Sequence, residues 1–319
     1  MKVYFDNAAT TPIRSEVIEL MTQSMTMTFG NPSSNHGFGR SAKSIIETAR
    51  KSVAKYLNCE PQEIIFTSGG TESDNMILRC AVKDLKVKTI ISSVLEHHAV
   101  LQPLDELEKE GVRIRYVDLD ENGSPKLDHL KKLLKADDTI KLVSLMHINN
   151  EIGNILDLDL IGALCKANGA YFHTDAVQGI GHFTFDLKSQ PIDFLAAAAH
   201  KFHGPKGIGF AYIRKNRNID PFIVGGPQER GQRAGTESVH NIIGLQKAIE
   251  MAYENLDNER FYVTGLKKYF ITQLKKIFPT AHFNGLSENL EKSTYTLVNV
   301  AFPIAVSYTH LTLPTILLV

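Results

Sequence analysis

Glu63-Ile64-Ile65-Phe66-Thr67-Ser68-Gly69-Gly70-Thr71-Glu72-Ser73 decides the fold. A short apolar, β-branched run stops at two glycines, and a helical pattern starts at Thr71. Farther along the chain, short apolar runs alternate with longer helical patterns, with no internal repeat. Candidate strands are Thr89 to Ser92, Arg113 to Val117, Leu142 to Met146, Ala170 to His173, Phe194 to Ala197 and Ile208 to Ile213. Candidate helices are Thr71 to Lys83, Leu101 to Lys109, Leu127 to Leu134, Leu158 to Ala167 and Val239 to Glu254. Strands alternating with helices predict an α/β protein with a mainly parallel central sheet flanked by helices on both faces. Phe194–Ala197 and Ile208–Ile213 have no helix between them, so an antiparallel excursion is expected there. The charged amphipathic stretch from Asn255 to Ile277 begins a second, smaller α/β unit. The expected division is 13–254 for a large domain, with 1–12 and 255–303 in a small, incomplete one.

Composition narrows the function classes. Among 319 residues, 35 Lys and Arg balance 35 Asp and Glu, which gives no electrostatic reason for a nucleic-acid or anionic-membrane partner. No apolar run approaches the roughly 18 residues of a membrane span, and the first residues hold no signal-peptide core. Three scattered cysteines form no disulfide framework, which suits a reducing cytoplasm. Twelve histidines lack metal-ligand spacing, and His97-His98 is adjacent rather than i, i+4, so no metal site is expected.

The residues able to do chemistry sit at successive strand ends, where open α/β sheets bind ligands. Ser68-Gly69-Gly70-Thr71 reads as a phosphate cradle at a helix N-terminus, or as a plain glycine turn with a hydroxyl cap. His97 reads as a ring-stacking, proton-carrying imidazole or as an ordinary satisfied histidine. Asn149-Asn150-Glu151 offers amides for a phenolic oxygen, or forms a turn. Asp175, in His173-Thr174-Asp175-Ala176-Val177-Gln178, comes after a buried strand, where a carboxylate needs a cation or donors. It could equally cap a turn. Lys201, in His200-Lys201-Phe202-His203-Gly204-Pro205-Lys206-Gly207, follows four alanines and reads as a partly buried nucleophilic amine or as a surface lysine. A Schiff-base lysine plus a carboxylate for a protonated pyridine nitrogen is the minimum equipment for pyridoxal 5'-phosphate (PLP) chemistry.

These stretches, with Asp6-Asn7-Ala8-Ala9-Thr10-Thr11-Pro12, Gly30-Asn31-Pro32-Ser33-Ser34 and Arg230-Gly231-Gln232-Arg233-Ala234-Gly235-Thr236, occur in the order found in one family. From Tyr4 to about Phe302 the chain resembles the NifS/IscS-like cysteine desulfurases, class V aminotransferases of the fold-type I PLP enzymes. The resemblance implies that Lys201 is the Schiff-base and acid–base lysine, with His97 the second catalytic residue, stacked on the ring. It implies Asp175 at the pyridine nitrogen, and Asn150 and Gln178 beside the phenolic oxygen. Gly70, Thr71 and His200 would hold the phosphate, together with Thr236 from a neighbouring subunit, hence a homodimer. Asn7 to Thr10 would wall the substrate pocket. The implied reaction converts L-cysteine to L-alanine. Sulfur passes through an enzyme persulfide to an acceptor protein such as an iron–sulfur scaffold.

Three departures qualify this. None of Cys59, Cys80 and Cys165 stands at the family's nucleophile position, and the arginine for the substrate carboxylate is also missing. Ala198 replaces a serine that bonds the phosphate in many relatives. After Pro303 the motif pattern stops, and Ile304 to Val319 reads as foreign or divergent sequence, so a C-terminally truncated, aggregation-prone chain inactive in persulfide formation is expected. Two other readings stay open: another PLP aminotransferase or lyase, such as one acting on selenocysteine, and a non-catalytic PLP-fold binding protein.

Overall fold

The computed structural model describes residues 3–303. The tail from 304 onward, read above as foreign or divergent, lies outside the described residues. In chain order the elements are α1 (Ser15–Met27), α2 (Gly37–Tyr56), β1 (Ile64–Thr67), α3 (Gly70–Asp84), β2 (Thr89–Ser92), α4 (His98–Lys109), β3 (Arg113–Tyr116) and α5 (Leu127–Leu134). There follow β4 (Lys141–Ser144), α6 (Leu158–Ala167), β5 (Tyr171–Asp175), β6 (Phe194–Ala198), β7 (Gly209–Ile213), α7 (Val239–Glu254), α8 (Leu256–Ile277), β8 (His282–Phe283) and β9 (Val300–Ala301).

Seven strands form one sheet in the order β1-β7-β6-β5-β4-β2-β3. The run from β6 to β3 is parallel throughout. The antiparallel excursion is β7, which pairs with β6 on one side and β1 on the other. The β6–β7 connection lacks a helix, so the chain must return alongside and cannot make a parallel crossover.

Alternation along the strands builds two cores. Ile64 and Phe66 of β1, Val143 of β4 and Leu195 of β6 face α2, α6 and α7. Ile65, Leu142, Phe194 and Ala196, the intervening residues, face α3 and α4. Both faces are covered, and β1, β2, β4, β6 and β7 are buried at every position.

Two helices, α1 and α2, stand where no helix was read from the sequence. Their apolar positions are diluted by Ser, Thr and Lys, yet Val17, Ala42, Ile46, Ala49 and Val53 are fully packed against the first core. Residues 256–303 carry a small apolar cluster of their own, built on Ile271, Leu274, Phe283 and Val298. The buried Lys267 ties α8 to this unit by donating to Ser293 Oγ at 2.7 Å and Thr294 O at 2.6 Å. Among the described residues no helix is long and apolar enough to cross a membrane.

Candidate active site

The C-terminal ends of β4, β5 and β6 open onto a cleft of about 530 Å³. Gly70, Thr71, His97, Asn150, Asp175, Gln178, His200 and Lys201 all line it. Thr236 does not. It lines a separate small pocket with Ser68, Gly207 and Arg233.

Asp175 is the last residue of β5, not the first after it, and its side chain is buried. Oδ1 accepts from the Val177 N–H at 2.9 Å. Burial, with the neighbouring Asp74, pushes its carboxyl up to about 7. No lysine or arginine pairs with it among the described residues. A buried carboxyl so placed is a receptor for a cation.

Lys201 ends a short 3₁₀ turn (Ala199–Lys201) that continues β6, and is partly buried. Its Nζ donates to the carbonyls of Ala8 and Ala9, the latter at 3.0 Å. Burial holds the amine below its usual pKa, against the pull of Asp175, Asp6 and Glu151. With carbonyls as hydrogen-bond partners and no salt bridge, the amine can be released as a nucleophile. The four alanines before it are all buried, Ala196 in the core on the α3 face of the sheet and Ala197 and Ala199 in the core on the other.

The other end of the cleft is set up for an anion. Gly69 has φ +152° and ψ −174°, a conformation for glycine alone, and aims the chain into α3. Its neighbour Gly209 lies so close that a Cβ there would meet Ala197 O at 2.2 Å. Thus the first turn of α3 sits tight against β7, with its N–H groups at the cleft wall. His200 lies beside it, its Nδ1 3.2 Å from Thr10 Oγ1. Burial and the cations Lys201 and Lys206 push its imidazole down to about 4, so it is neutral. Lys206, passed over in the sequence reading, lines the adjoining pocket with Ser68, Gly69 and Thr71.

Between these ends stand the remaining groups. His97 is exposed and caps α4, with Nδ1 accepting from Ala99 N at 3.0 Å and Nε2 left to the cleft. Asn150 donates to Glu151 Oε1 at 2.8 Å, and Gln178 donates to Ala8 O at 2.9 Å. Of the stretch from Asn7 to Thr10, Ala8 and Ala9 line the cleft, while Asn7 lines an adjoining cavity of about 300 Å³ beyond Lys201. Asp74, Met146 and Glu151 line the cleft without having been singled out. A signal for Asp74 existed: it shares an i, i+3, i+4 face with Ile77 and Leu78, and a carboxyl on an apolar helix face asks for an explanation.

Ala8 packs on Leu297, Lys201 Nζ donates to the Ala8 and Ala9 carbonyls, and Thr11 accepts and donates hydrogen bonds with the His200–His203 turn. The three cysteines are elsewhere. Cys80 and Cys165 are buried and Cys59 is half-buried. Burial pushes the thiols of Cys59 and Cys80 up to about 12, and that of Cys165 up as well.

An amine, a buried carboxyl and a glycine turn opening a helix converge at the strand ends of a mainly parallel sheet, and residues 3–311 match aminotransferase class-V, the family to which this chain belongs. The match runs past Pro303, where the motif reading stops.

Within that family the chain stands among the NifS/IscS-like cysteine desulfurases. It is 48% identical to the cysteine desulfurase IscS of Dictyoglomus turgidum over 90% of this chain and 73% of that protein. It is also 48% identical to the cysteine desulfurase IscS of Methanosarcina thermophila, over 89% of this chain and 70% of that one. A solved NifS-like protein superposes with a TM-score of 0.90 at 40% identity, covering 95% of this chain and 82% of its own. The NifS-like protein of Rickettsia africae gives 0.86 at 31% identity, with 95% and 82% covered.

Proposed function

We propose that this chain is a PLP-dependent cysteine desulfurase that removes sulfur from L-cysteine and leaves L-alanine. The observation that carries the reading is the convergence in one cleft of Lys201 and the buried Asp175, which has no lysine or arginine ion pair among the described residues, with the N-terminus of α3 at its other end. The residues fit PLP. Lys201 would anchor it covalently, Asp175 would meet its ring nitrogen, and Gly70, Thr71 and His200 would take its phosphate. His97 would cover the ring, and Asn150 and Gln178 would stand beside the phenolic oxygen. PLP, when bound, supplies the electron sink that labilises bonds around the substrate's α-carbon.

The chain's own residues then do the rest. Lys201 is partly buried with a lowered pKa, which suits an amine that would take and return a proton at the α-carbon. His97 presents a free Nε2 for proton transfer at the substrate. In the net reaction an acceptor thiolate bonds the substrate sulfur and the Cβ–S bond breaks. The carbon keeps the electron pair and takes a proton, giving alanine and a persulfide. None of Cys59, Cys80 and Cys165 is that thiolate. Each is packed away from the cleft, with its thiol pushed far from ionisation.

We further propose a large unit over 13–254 and a small one from 1–12 with 255–303, the latter supported by its separate apolar cluster. A homodimer is supported by Thr236 lying outside this protomer's cleft. It is also supported by exposed apolar groups at Phe29, Phe38 and Val224. The free thiols support a reducing, cytoplasmic setting, and the IscS likeness supports an acceptor in iron–sulfur cluster assembly.

The test is reconstitution of the apoprotein with PLP, followed by L-cysteine and a thiol acceptor, with alanine quantified. Alanine formed in wild type and lost in Lys201→Ala, along with the cofactor's bound absorbance, is the expected result. Unchanged bound absorbance in Lys201→Ala overturns the assignment.

A further inference from the structure

Asp74 lies on α3, one turn after Gly70, and its side chain is wholly buried. Neither of its oxygens meets a hydrogen-bond donor in good geometry among the described residues. The nearest polar atom recorded for it is His173 Nε2, 3.3 Å from Oδ1. That nitrogen has no other partner either. His173 is fully buried on β5, two residues before Asp175 and therefore on the same side of the strand. Its Nδ1 is 2.9 Å from Ser144 Oγ on β4. Ser92 of β2 in turn donates to the Ser144 carbonyl at 2.9 Å. A buried polar chain thus runs from α3 through β5 to β4 and β2, directly beneath the carboxyl that ends β5.

The charge on this chain follows from its surroundings. Burial pushes Asp74 well above the carboxylate range and His173 down to about 4, which favours the uncharged form of each. Glu96, a third buried carboxyl within electrostatic reach of Asp74 and Asp175, is pushed up too, with Oε1 taken by the Met146 N–H. Three carboxyls in one dry space cannot all carry charge. A neutral Asp74 is a donor, and His173 Nε2 is an acceptor once Nδ1 keeps its hydrogen for Ser144.

We propose that Asp74 is a positioning residue for Asp175: as a neutral carboxylic acid it hydrogen-bonds His173 Nε2, fixes the end of β5, and leaves Asp175 the one anion facing the ring nitrogen. This rests on the reading that Asp175 meets that nitrogen. The arrangement parallels a histidine held in one tautomer by a partner behind it, with the acid here donating instead of accepting.

The experiment titrates the apoprotein with PLP and with the analogue whose ring nitrogen is replaced by C–H, in wild type, Asp74→Asn, Asp74→Ala and Asp175→Ala. An amide can also donate to His173, so Asp74→Asn binds both ligands within about threefold of wild type. Asp74→Ala orphans His173 Nε2 and weakens PLP about tenfold while leaving the analogue within about threefold. Equal losses for PLP in Asn and Ala variants would mean that Asp74 acts through charge, and equal losses for both ligands would mean that it only packs; either overturns the proposal. Asp175→Ala separates the two levels: if it too fails to distinguish PLP from the analogue, the ring-nitrogen reading falls, not merely the role of Asp74. Should Asp74→Ala not fold, the infrared difference between wild type and Asp74→Asn decides. The carbonyl stretch of a protonated carboxyl at pH 8 must be lost in the variant, and its absence from wild type overturns the proposal.

Discussion

Replacing Arg50 by Met tests how the loop before Thr236 is held. Arg50 and Glu229 have side chains only 2% exposed each, and they pair through Nη1–Oε2 at 2.6 Å and Nη2–Oε1 at 2.9 Å. Arg50 Nη1 also donates to Ile64 O at 2.7 Å, and Glu229 Oε2 accepts from Phe66 N at 2.9 Å. The pair therefore bolts α2 and the loop to β1. Glu229 and Arg230 both have left-handed backbone, with φ of 45° and 59°. Such strain persists only where neighbouring contacts over-determine it. Arg50→Met keeps the packing over Phe66 but leaves the carboxylate buried and unpaired, at a cost of about 3–5 kcal/mol. Glu229→Gln alone keeps an acceptor for Nη1 and Phe66 N, but turns an amide NH2 toward Nη2 and removes the buried counter-charge, at a similar cost. In the double variant Arg50→Met/Glu229→Gln the amide still accepts from Phe66 N; the Ile64 carbonyl loses a protein donor, about 1–3 kcal/mol, and the partly exposed Glu47, which loses the Arg50 Nε–H, can turn to water. The double should then be less damaging than the sum of the singles by at least about 2 kcal/mol. Urea unfolding followed by far-ultraviolet circular dichroism measures all three. Additive effects below about 1 kcal/mol each would mean that water screens the pair, and would refute the reasoning.

Other predictions follow from the cleft. Asp175 has a folded pKa of about 7, above its unfolded value, so the apoprotein's stability from this group is complete at acid pH and is lost as pH rises through 7. His147 at about 3, with His173 and His200 at about 4, contribute the opposite slope, but only while unfolded histidine titrates, near 6.5 and below. The readout is therefore a difference: between pH 4 and 7 wild type should lose melting temperature relative to Asp175→Asn, and the offset should level off above pH 8; an offset independent of pH would contradict it. Ala198 lines the cleft beside Gly70, so Ala198→Ser should tighten PLP by about 0.5–1.5 kcal/mol, one net hydrogen bond, read by cofactor titration. Gly209→Ala drives a methyl into Ala197 O and Gly69 and should cost about 3 kcal/mol or more, with loss of PLP binding; a stable, PLP-replete variant would show that β7 can shift. Cys80 and Cys165 should react with iodoacetamide only after denaturation, measured by mass spectrometry.

The amino-acid sequence by itself determined the α/β class, the positions of the sheet strands and the antiparallel return at β7, because buried strands flanked by turn residues and periodic helices are local signals. It also placed Lys201, Asp175, His97, Asn150 and the Gly70 turn at strand ends, because these motifs are contiguous. It did not foretell α1 and α2, whose core residues, such as Val17, Ile46 and Val53, are interspersed with Ser, Thr and Lys. Nor did it single out Asp74, Glu96 or Arg50, whose polar character reads as solvent exposure until the sheet and helices close over them. Only the tertiary structure decided which carboxyls are dry and that Asp175 lacks a lysine or arginine partner. It alone set Thr236 in a different pocket from Lys201. Burial and charge proximity depend on residues far apart in the chain, and those are the quantities that turn a list of polar side chains into a site.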